Sequence, residues 1–161
     1  MAMANQPIDR AVKLGFLKDE YLLIQKQYED FDTRIMTIKG WSATIGLAAL
    51  GAGFQYTKYL WIFAAGIGVI FWILEAIWKS FQYNYADRIE LLEEKFRTGN
   101  VDDVAPFQIY TAWMEVFQRQ GYLMPVMGNM TLPLIFFPHI VPVIVGPAIF
   151  LCNLHFQFQP K

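Results

Sequence analysis

The chain has 161 residues, a formal net charge of −1 and a hydrophobic content of 55%, which is high for a soluble domain. The near-neutral charge and the lack of a basic run in the sequence argue against nucleic acid as the main partner. Because Cys152 is the single cysteine of the sequence, neither an internal disulfide framework nor a thiolate metal cluster is expected.

The first predicted element is a long helix with a heptad pattern. Its apolar residues recur at alternating spacings of three and four, as in the seam of a coiled coil, and charged residues fill the other positions. Because no proline interrupts residues 8–59, we expect one continuous helix of about 45–50 residues, with 8–39 in the cytoplasm. The seam that we expect to pack within and between subunits consists of Leu17, Tyr21, Ile24, Tyr28, Phe31, Ile35 and Ile38.

Two apolar arms form the centre of the predicted fold. The segments 40–57 and 59–78 are each close to the roughly 17–25 apolar residues that a bilayer span requires. Lys58 lies between them at the tip of a predicted antiparallel hairpin, and 79–98 extends the second arm as a cytoplasmic helix. We therefore predict an all-α integral membrane protein that forms a single membrane domain over 1–161.

The distribution of basic residues predicts the orientation of the hairpin. Residues 1–39 carry six lysines and arginines and residues 79–119 carry five, whereas the tip carries only Lys58. Because cytoplasmic loops are enriched in lysine and arginine, both long flanks are expected in the cytoplasm. The N-terminus of this multi-pass protein is therefore predicted to be cytoplasmic.

Small residues in both arms predict close helix packing. Ala49 and Gly53, and likewise Ala64 and Gly68, lie four residues apart, which lets two backbones approach closely inside a bilayer, and Gly46 shares a helical face with Ala49 and Gly53. The alternative is that glycine and alanine are simply common in membrane helices. The residues predicted for helix packing are Gly46, Ala49, Gly53, Ala64 and Gly68.

A shorter amphipathic helix is predicted over 103–120. Asp102 or Asp103 could cap its N-terminus, and Pro106 fits its first turn. Its aromatic stripe suits either the membrane surface or packing against the cytoplasmic extension of the hairpin. The sequence leaves both alternatives open.

The C-terminal segment 122–156 is apolar but rich in proline. It has no charged residue, so it could enter a bilayer, yet four prolines lie between positions 133 and 147. Each interior proline removes a helical hydrogen bond and clashes with the preceding turn. The segment is therefore a kinked third span, a re-entrant element or a non-helical layer buried between subunits. We favour the last two, which leave the C-terminus in the cytoplasm.

Lys39 and Glu75 are the first candidates for a functional site. Each lies about 18 residues from the hairpin tip, which places both at one depth near the cytoplasmic boundary. An acid inside a membrane is costly and usually has a partner, so we predict a structural ion pair. The alternatives are an ion or proton site facing a pore, and unpaired side chains that reach toward the headgroups.

Motifs for catalysis or for cofactor binding are not found in the sequence. His139 and His155 lack the spacing of metal ligands, and Cys152 has no neighbouring base, so it reads as a small core residue. There is no glycine-rich phosphate loop and no nucleophile motif. We therefore expect no catalytic residue, no cofactor, no metal and no enzymatic activity.

Three sequence runs resemble a known family. They are YEDFDTRIMTIKGWSATIGLAALG (28–51), FWILEAIWKSF (71–81) and RIELLE (88–93), and the most specific positions are 34–41, Trp72, Glu75 and Lys79. These runs are similar to the RipA family of octameric bacterial inner-membrane proteins. The resemblance implies a homo-octamer in the bacterial cytoplasmic membrane. A looser similarity to the two-span SLATT-type effectors of bacterial conflict systems implies a pore that a partner triggers.

The predicted function is that of a non-enzymatic, ring-forming homo-oligomer in the membrane, acting as a scaffold or a channel-like assembly. The alternative is a pore-forming effector of a bacterial defence system that is triggered by a partner. The expected partners are the lipid bilayer and further copies of the chain, with room for an unidentified protein partner and none for nucleic acid.

Overall fold

The computed structural model describes residues 9–157, and over these residues the chain is all-helical, as predicted. The predicted first helix begins at residue 8, which lies outside the described residues. The helices are α1 (Arg10–Gln55), α2 (Tyr59–Tyr83), α3 (Ala86–Thr98), α4 (Ile109–Gln120), α5 (Leu123–Met130), α6 (Pro133–Phe136) and α7 (Ile140–Gln157). Two helical stretches, α1 and the one that begins with α2, are long and apolar enough to cross a membrane.

The chain divides into two compact units. The charged unit combines Met1–Asp30 with Phe81–Gly121, and the apolar unit combines Phe31–Ser80 with Tyr122–Lys161. Helix α1 contributes residues to both of them. Each unit has its own buried side chains.

The core of the charged unit lies between the first half of α1 and α3. Leu17 and Ile24 of the predicted seam are buried there against Leu92, and Val101 and Val104 complete the cluster. Burying side chains of this kind contributes about 1.5–3 kcal/mol each. The heptad pattern of α1 is therefore used, in this unit, for packing within the chain.

The predicted 79–98 extension is interrupted once. Helix α2 ends at Tyr83 and α3 begins at Ala86. At the interruption, the N–H of Tyr85 donates to the carbonyl of Gln82 at 3.1 Å, three residues earlier instead of four. This tighter turn separates the two helices. Helix α3 then ends at Gly99, whose φ of 73° is left-handed and suits a helix C-terminus.

The prediction that the short amphipathic helix starts at 103 is wrong. Helix α4 begins at Ile109, and Asp102, Asp103 and Pro106 belong to the loop before it. Tertiary contacts hold this loop away from a helical path, because Val101 and Val104 are buried in the core. The φ of Phe107 is 59°, which is incompatible with a right-handed helix.

Helix α4 packs against α3. The indole N–H of Trp113 donates to the carbonyl of Phe81 at 3.0 Å, and its ring stacks on Phe117 at 5.3 Å between centroids. Within this unit, the aromatic stripe of α4 thus contacts the end of α2, where Phe81 lies, as well as α3. This arrangement corresponds to the packing alternative.

The apolar unit contains the second half of α1, most of α2, and α5 to α7. Residues 56–58 join α1 to α2. The indole N–H of Trp61 donates to the carbonyl of Leu50 at 3.1 Å, which brings the two helices together beside the connection. Ala49 and Ala64 lie in the same buried cluster.

The expectation of a non-helical layer over 122–156 is wrong, because this segment forms α5, α6 and α7. Most of its prolines occupy positions that a helix tolerates. Pro125 and Pro142 lie in the first turns of α5 and α7, Pro133 opens α6, and Pro138 precedes α7. Only Pro147 lies in the interior of a helix, beyond its first turn. The prolines therefore divide the segment into helices instead of preventing them.

Candidate functional site

Two of the glycines predicted for helix packing, Gly46 and Gly68, contact the start of α7. A methyl group added at Gly68 would lie 2.9 Å from the carbonyl oxygen of His139 and 3.0 Å from Pro142. One added at Gly46 would lie 3.2 Å from the same Pro142 ring. Glycine at these two positions therefore lets the start of α7 approach α1 and α2 closely.

The other predicted small residues pack nearer the connection between α1 and α2. Gly53 faces the Trp61 indole so closely that an added methyl group would overlap it. Ala49 and Ala64 are buried, and Ile149 and Phe150 of α7 pack against their cluster. All five predicted positions thus lie at helix contacts within the apolar unit, and α7 takes part in most of them.

The close approach of α7 buries a polar cluster, which consists of Lys39, Ser42, Glu75 and His139. His139 lies directly before α7 and its side chain is fully buried. Its Nδ1 atom is 2.6 Å from the Ser42 hydroxyl, and its Nε2 atom is 2.8 Å from Oε2 of Glu75. The imidazole thus connects α1 to α2 through both of its ring nitrogens.

Lys39 lies at the other side of the Glu75 carboxylate. Its ammonium group is 3.0 Å from Oε1 of Glu75, and it also donates a hydrogen bond to the carbonyl of Leu134. About a fifth of the Lys39 side chain is exposed, whereas the Glu75 side chain is buried. The structure therefore brings the two predicted residues together, with one cationic or polar partner on each carboxylate oxygen.

His139 and Ser42 were not predicted as members of this site. A signal for His139 was present, because it is the single titratable side chain between Leu123 and Leu151. Glu75 is likewise the single charged side chain inside the second arm. Two such groups in apolar surroundings are expected to seek each other, since an unpaired buried charge is costly.

The cluster contains the three groups of a nucleophilic triad, but its surroundings suit acyl transfer poorly. Ser42 is almost fully buried, at 1% exposed. It also lies inside α1, where the backbone N–H groups are used by helical hydrogen bonds and cannot bind an oxyanion. What the geometry favours is proton exchange, because an imidazole can accept a proton at one nitrogen and donate one at the other.

The donor set also fits a metal ion poorly. Between Asp9 and Gln157, no group of three histidine, cysteine or acidic side chains is arranged to hold one. In the cluster, the Lys39 ammonium already neutralises the carboxylate that would bind a cation. Cys152, predicted as a core residue, is exposed on α7 instead.

A second buried polar cluster lies in the charged unit. Arg88 forms a bidentate ion pair with Glu20, at 2.9 and 3.1 Å, and donates to the carbonyl of Ala105 at 2.8 Å. The same Glu20 carboxylate accepts the backbone N–H of Phe107 at 2.7 Å. The pair fastens the loop before α4, and no sequence motif predicted it.

Comparisons of the chain with protein-family models, with curated protein sequences and with solved structures find no match. The RipA resemblance therefore stays a prediction that rests on the three sequence runs.

Proposed function

We propose that this chain is a non-enzymatic, self-associating protein of the bacterial cytoplasmic membrane, which acts as a scaffold or a channel-like assembly. The observation that carries the proposal is the exposed apolar surface of the two long helical stretches. Only 33% and 28% of their apolar windows are buried within the chain. The core helix of a soluble protein would be mostly buried, so lipid or another copy must cover this surface.

Large side chains account for this surface. They include Leu47, Phe54, Phe63 and Ile70, each more than half exposed. A surface of this size in water would cause aggregation, whereas in a bilayer it is solvated by lipid tails. The pairing of Glu75 with Lys39 and His139 supports the same environment, because a buried carboxylate in a membrane requires partners.

The charged unit supports self-association. Leu22 and Leu23 of α1 are 53% and 55% exposed there, away from the apolar windows. In a cytoplasmic unit, lipid tails cannot cover these leucines, whereas a second copy can. The resemblance to the RipA family favours the same reading, with a homo-octamer as its specific form.

The test is the native mass of the purified chain in lipid nanodiscs. We expect a discrete multiple of 18.7 kDa, and a particle that is always monomeric would contradict the proposal. Leu23→Lys should reduce the oligomer fraction about tenfold, because an interface leucine contributes on the order of 1–3 kcal/mol. The matched control is Glu90→Lys at an exposed position of α3, which introduces the same side chain without removing an apolar contact.

Flux measurements separate the scaffold from the channel. A channel-like assembly should release a trapped ion from liposomes, and a scaffold should not. Depolarisation and growth arrest on expression would instead support the pore-forming effector, the alternative suggested by the SLATT similarity.

A further inference from the structure

We propose that the cluster of Lys39, Ser42, Glu75 and His139 is a reversible proton-binding site, with the imidazole of His139 as the group that takes up and releases the proton. A structural ion pair would need only Lys39 and Glu75. The structure adds a buried imidazole that is hydrogen-bonded on both sides, at 2.6 and 2.8 Å. The inference goes beyond self-association, because it applies to one chain whatever the number of copies.

The uncharged imidazole is fully satisfied in this geometry. Its Nε2–H donates to Oε2 of Glu75, and its Nδ1 lone pair accepts the hydroxyl hydrogen of Ser42. Lys39 and Glu75 carry opposite charges in this state, so the cluster has no net charge. A buried polar network is stable when each of its groups has a partner; here Oε1 of Glu75 has the ion pair with Lys39 but no hydrogen bond.

The protonated imidazole is satisfied as well. The incoming proton forms an N–H bond at Nδ1, and this N–H donates to the Ser42 oxygen. The hydroxyl hydrogen of Ser42 then turns to the backbone carbonyl of Ile38, four residues earlier on α1, which serines in helices commonly use. The two cations face different oxygens of the Glu75 carboxylate. Proton uptake therefore requires one hydroxyl rotation and no repacking of helices.

The other elements around His139 add no competing titratable group. Between Leu123 and Pro138, in the segment that holds α5 and α6, no side chain is titratable, and the next one along α7 is Cys152. On α2, one turn from Glu75, Lys79 is paired with Asp32 of α1 at 3.2 Å. Lys39 is the one member of the cluster with an appreciably exposed side chain, so it lies at the edge of the cluster. The charge balance at the site is thus set by its own four residues.

The test is nitrogen NMR of histidine-labelled protein in lipid, from about pH 5 to about pH 8, the range in which imidazole ordinarily titrates. A His155→Gln background leaves His139 as the single labelled ring. We expect one tautomer, protonated at Nε2, at the alkaline end and a doubly protonated ring at the acid end. A ring that keeps one protonation state over the whole range would overturn the proposal and leave a structural cluster.

A pair of variants tests the role of the carboxylate. In Glu75→Gln, the doubly protonated fraction near pH 6 should fall about tenfold or more, because the charge that stabilises the imidazolium is removed. Glu90→Gln, at an exposed position of α3, is the matched control and should leave the doubly protonated fraction of His139 unchanged. An unchanged fraction in a folded Glu75→Gln protein would overturn the assignment. If Glu75→Gln does not fold, the pH titration of His139 in the unmodified chain still tests the proposal. A monomeric native mass would contradict self-association but would not change the outcome of this titration.

Discussion

At the scale of single residues, the buried ion pair of Glu20 and Arg88 joins α1, α3 and the loop before α4 within the charged unit. Glu20 is 0% exposed and Arg88 is 7% exposed, and both are satisfied by further hydrogen bonds to the loop before α4. Such a pair contributes little net free energy when intact, because desolvation offsets the attraction. Its removal from one side is costly, since the other charge stays buried without a partner.

We therefore predict that Arg88→Met lowers the free energy of unfolding by about 3–5 kcal/mol. The control is Arg119→Met, which breaks the exposed pair with Asp87 and should cost no more than about 1 kcal/mol. The measurement is a denaturant titration of both variants in the same detergent, followed by circular dichroism. Equal losses in the two variants would contradict the structural role of Arg88.

Asp103 gives a pH-dependent prediction in the same unit. The hydrogen bond from Lys95, at 2.7 Å, holds the pKa of Asp103 below its ordinary value. The unfolded chain therefore binds this proton more tightly, so the pair stabilises the folded state above the unfolded pKa. This stabilisation is lost as the pH falls through the folded pKa.

The expected result is that Asp103→Asn is slightly less stable than the unmodified chain at neutral pH. The difference should shrink as the pH falls through the folded pKa and vanish once the carboxyl is protonated in both the folded and the unfolded chain. The effect is small because the pair is exposed and screened by salt. Thermal unfolding at several pH values measures it, and a difference that grows on acidification would refute the sign.

At the scale of elements, the contact between α2 and α7 depends on glycines of both helices, Gly146 of α7 among them. Gly68 faces the carbonyl of His139 and the side chains of Pro142 and Val143, all within 3.0 Å of an added methyl group. Gly66 lies two residues earlier on the same helix and faces open space. The two positions therefore form a matched pair for testing the approach of α7.

Gly68→Ala should destabilise the apolar unit by about 1–3 kcal/mol, because backbone atoms of the His139 region must move to admit the methyl group. Gly66→Ala should be neutral or slightly stabilising, since alanine favours the helix and meets nothing. Thermal unfolding in one detergent compares the two. Equal stability would mean that α7 does not pack on α2 at this position.

For the whole molecule, the distribution of basic residues predicts that Lys58 and the N-terminal flank lie on opposite sides of the membrane. In a Cys152→Ala background, a cysteine at position 58 should react with an impermeant maleimide added to intact spheroplasts. A cysteine at the exposed position 19 of α1 should react only after lysis and serves as the control. The reverse labelling pattern would contradict the predicted orientation.

Much of the secondary structure follows from local properties of the sequence. The proline-free heptad run predicts α1. The end of α3 is predicted by Gly99, because glycine readily adopts the left-handed conformation that closes a helix. The start of α4 could not be predicted, because Asp103 and Pro106 form a good local helix start. The buried residues Val101 and Val104 pull the same segment into a core instead.

The sequence by itself predicted the all-helical class, the two apolar stretches and the pairing of Lys39 with Glu75. These properties depend on composition, on periodicity and on the regular rise of a helix. Only the tertiary structure decided that His139 joins this pair. Glu75 and His139 are 64 positions apart, and they meet because two glycines let α7 pack closely enough to bury the imidazole. Contacts at such distances depend on side-chain packing, which local patterns do not encode.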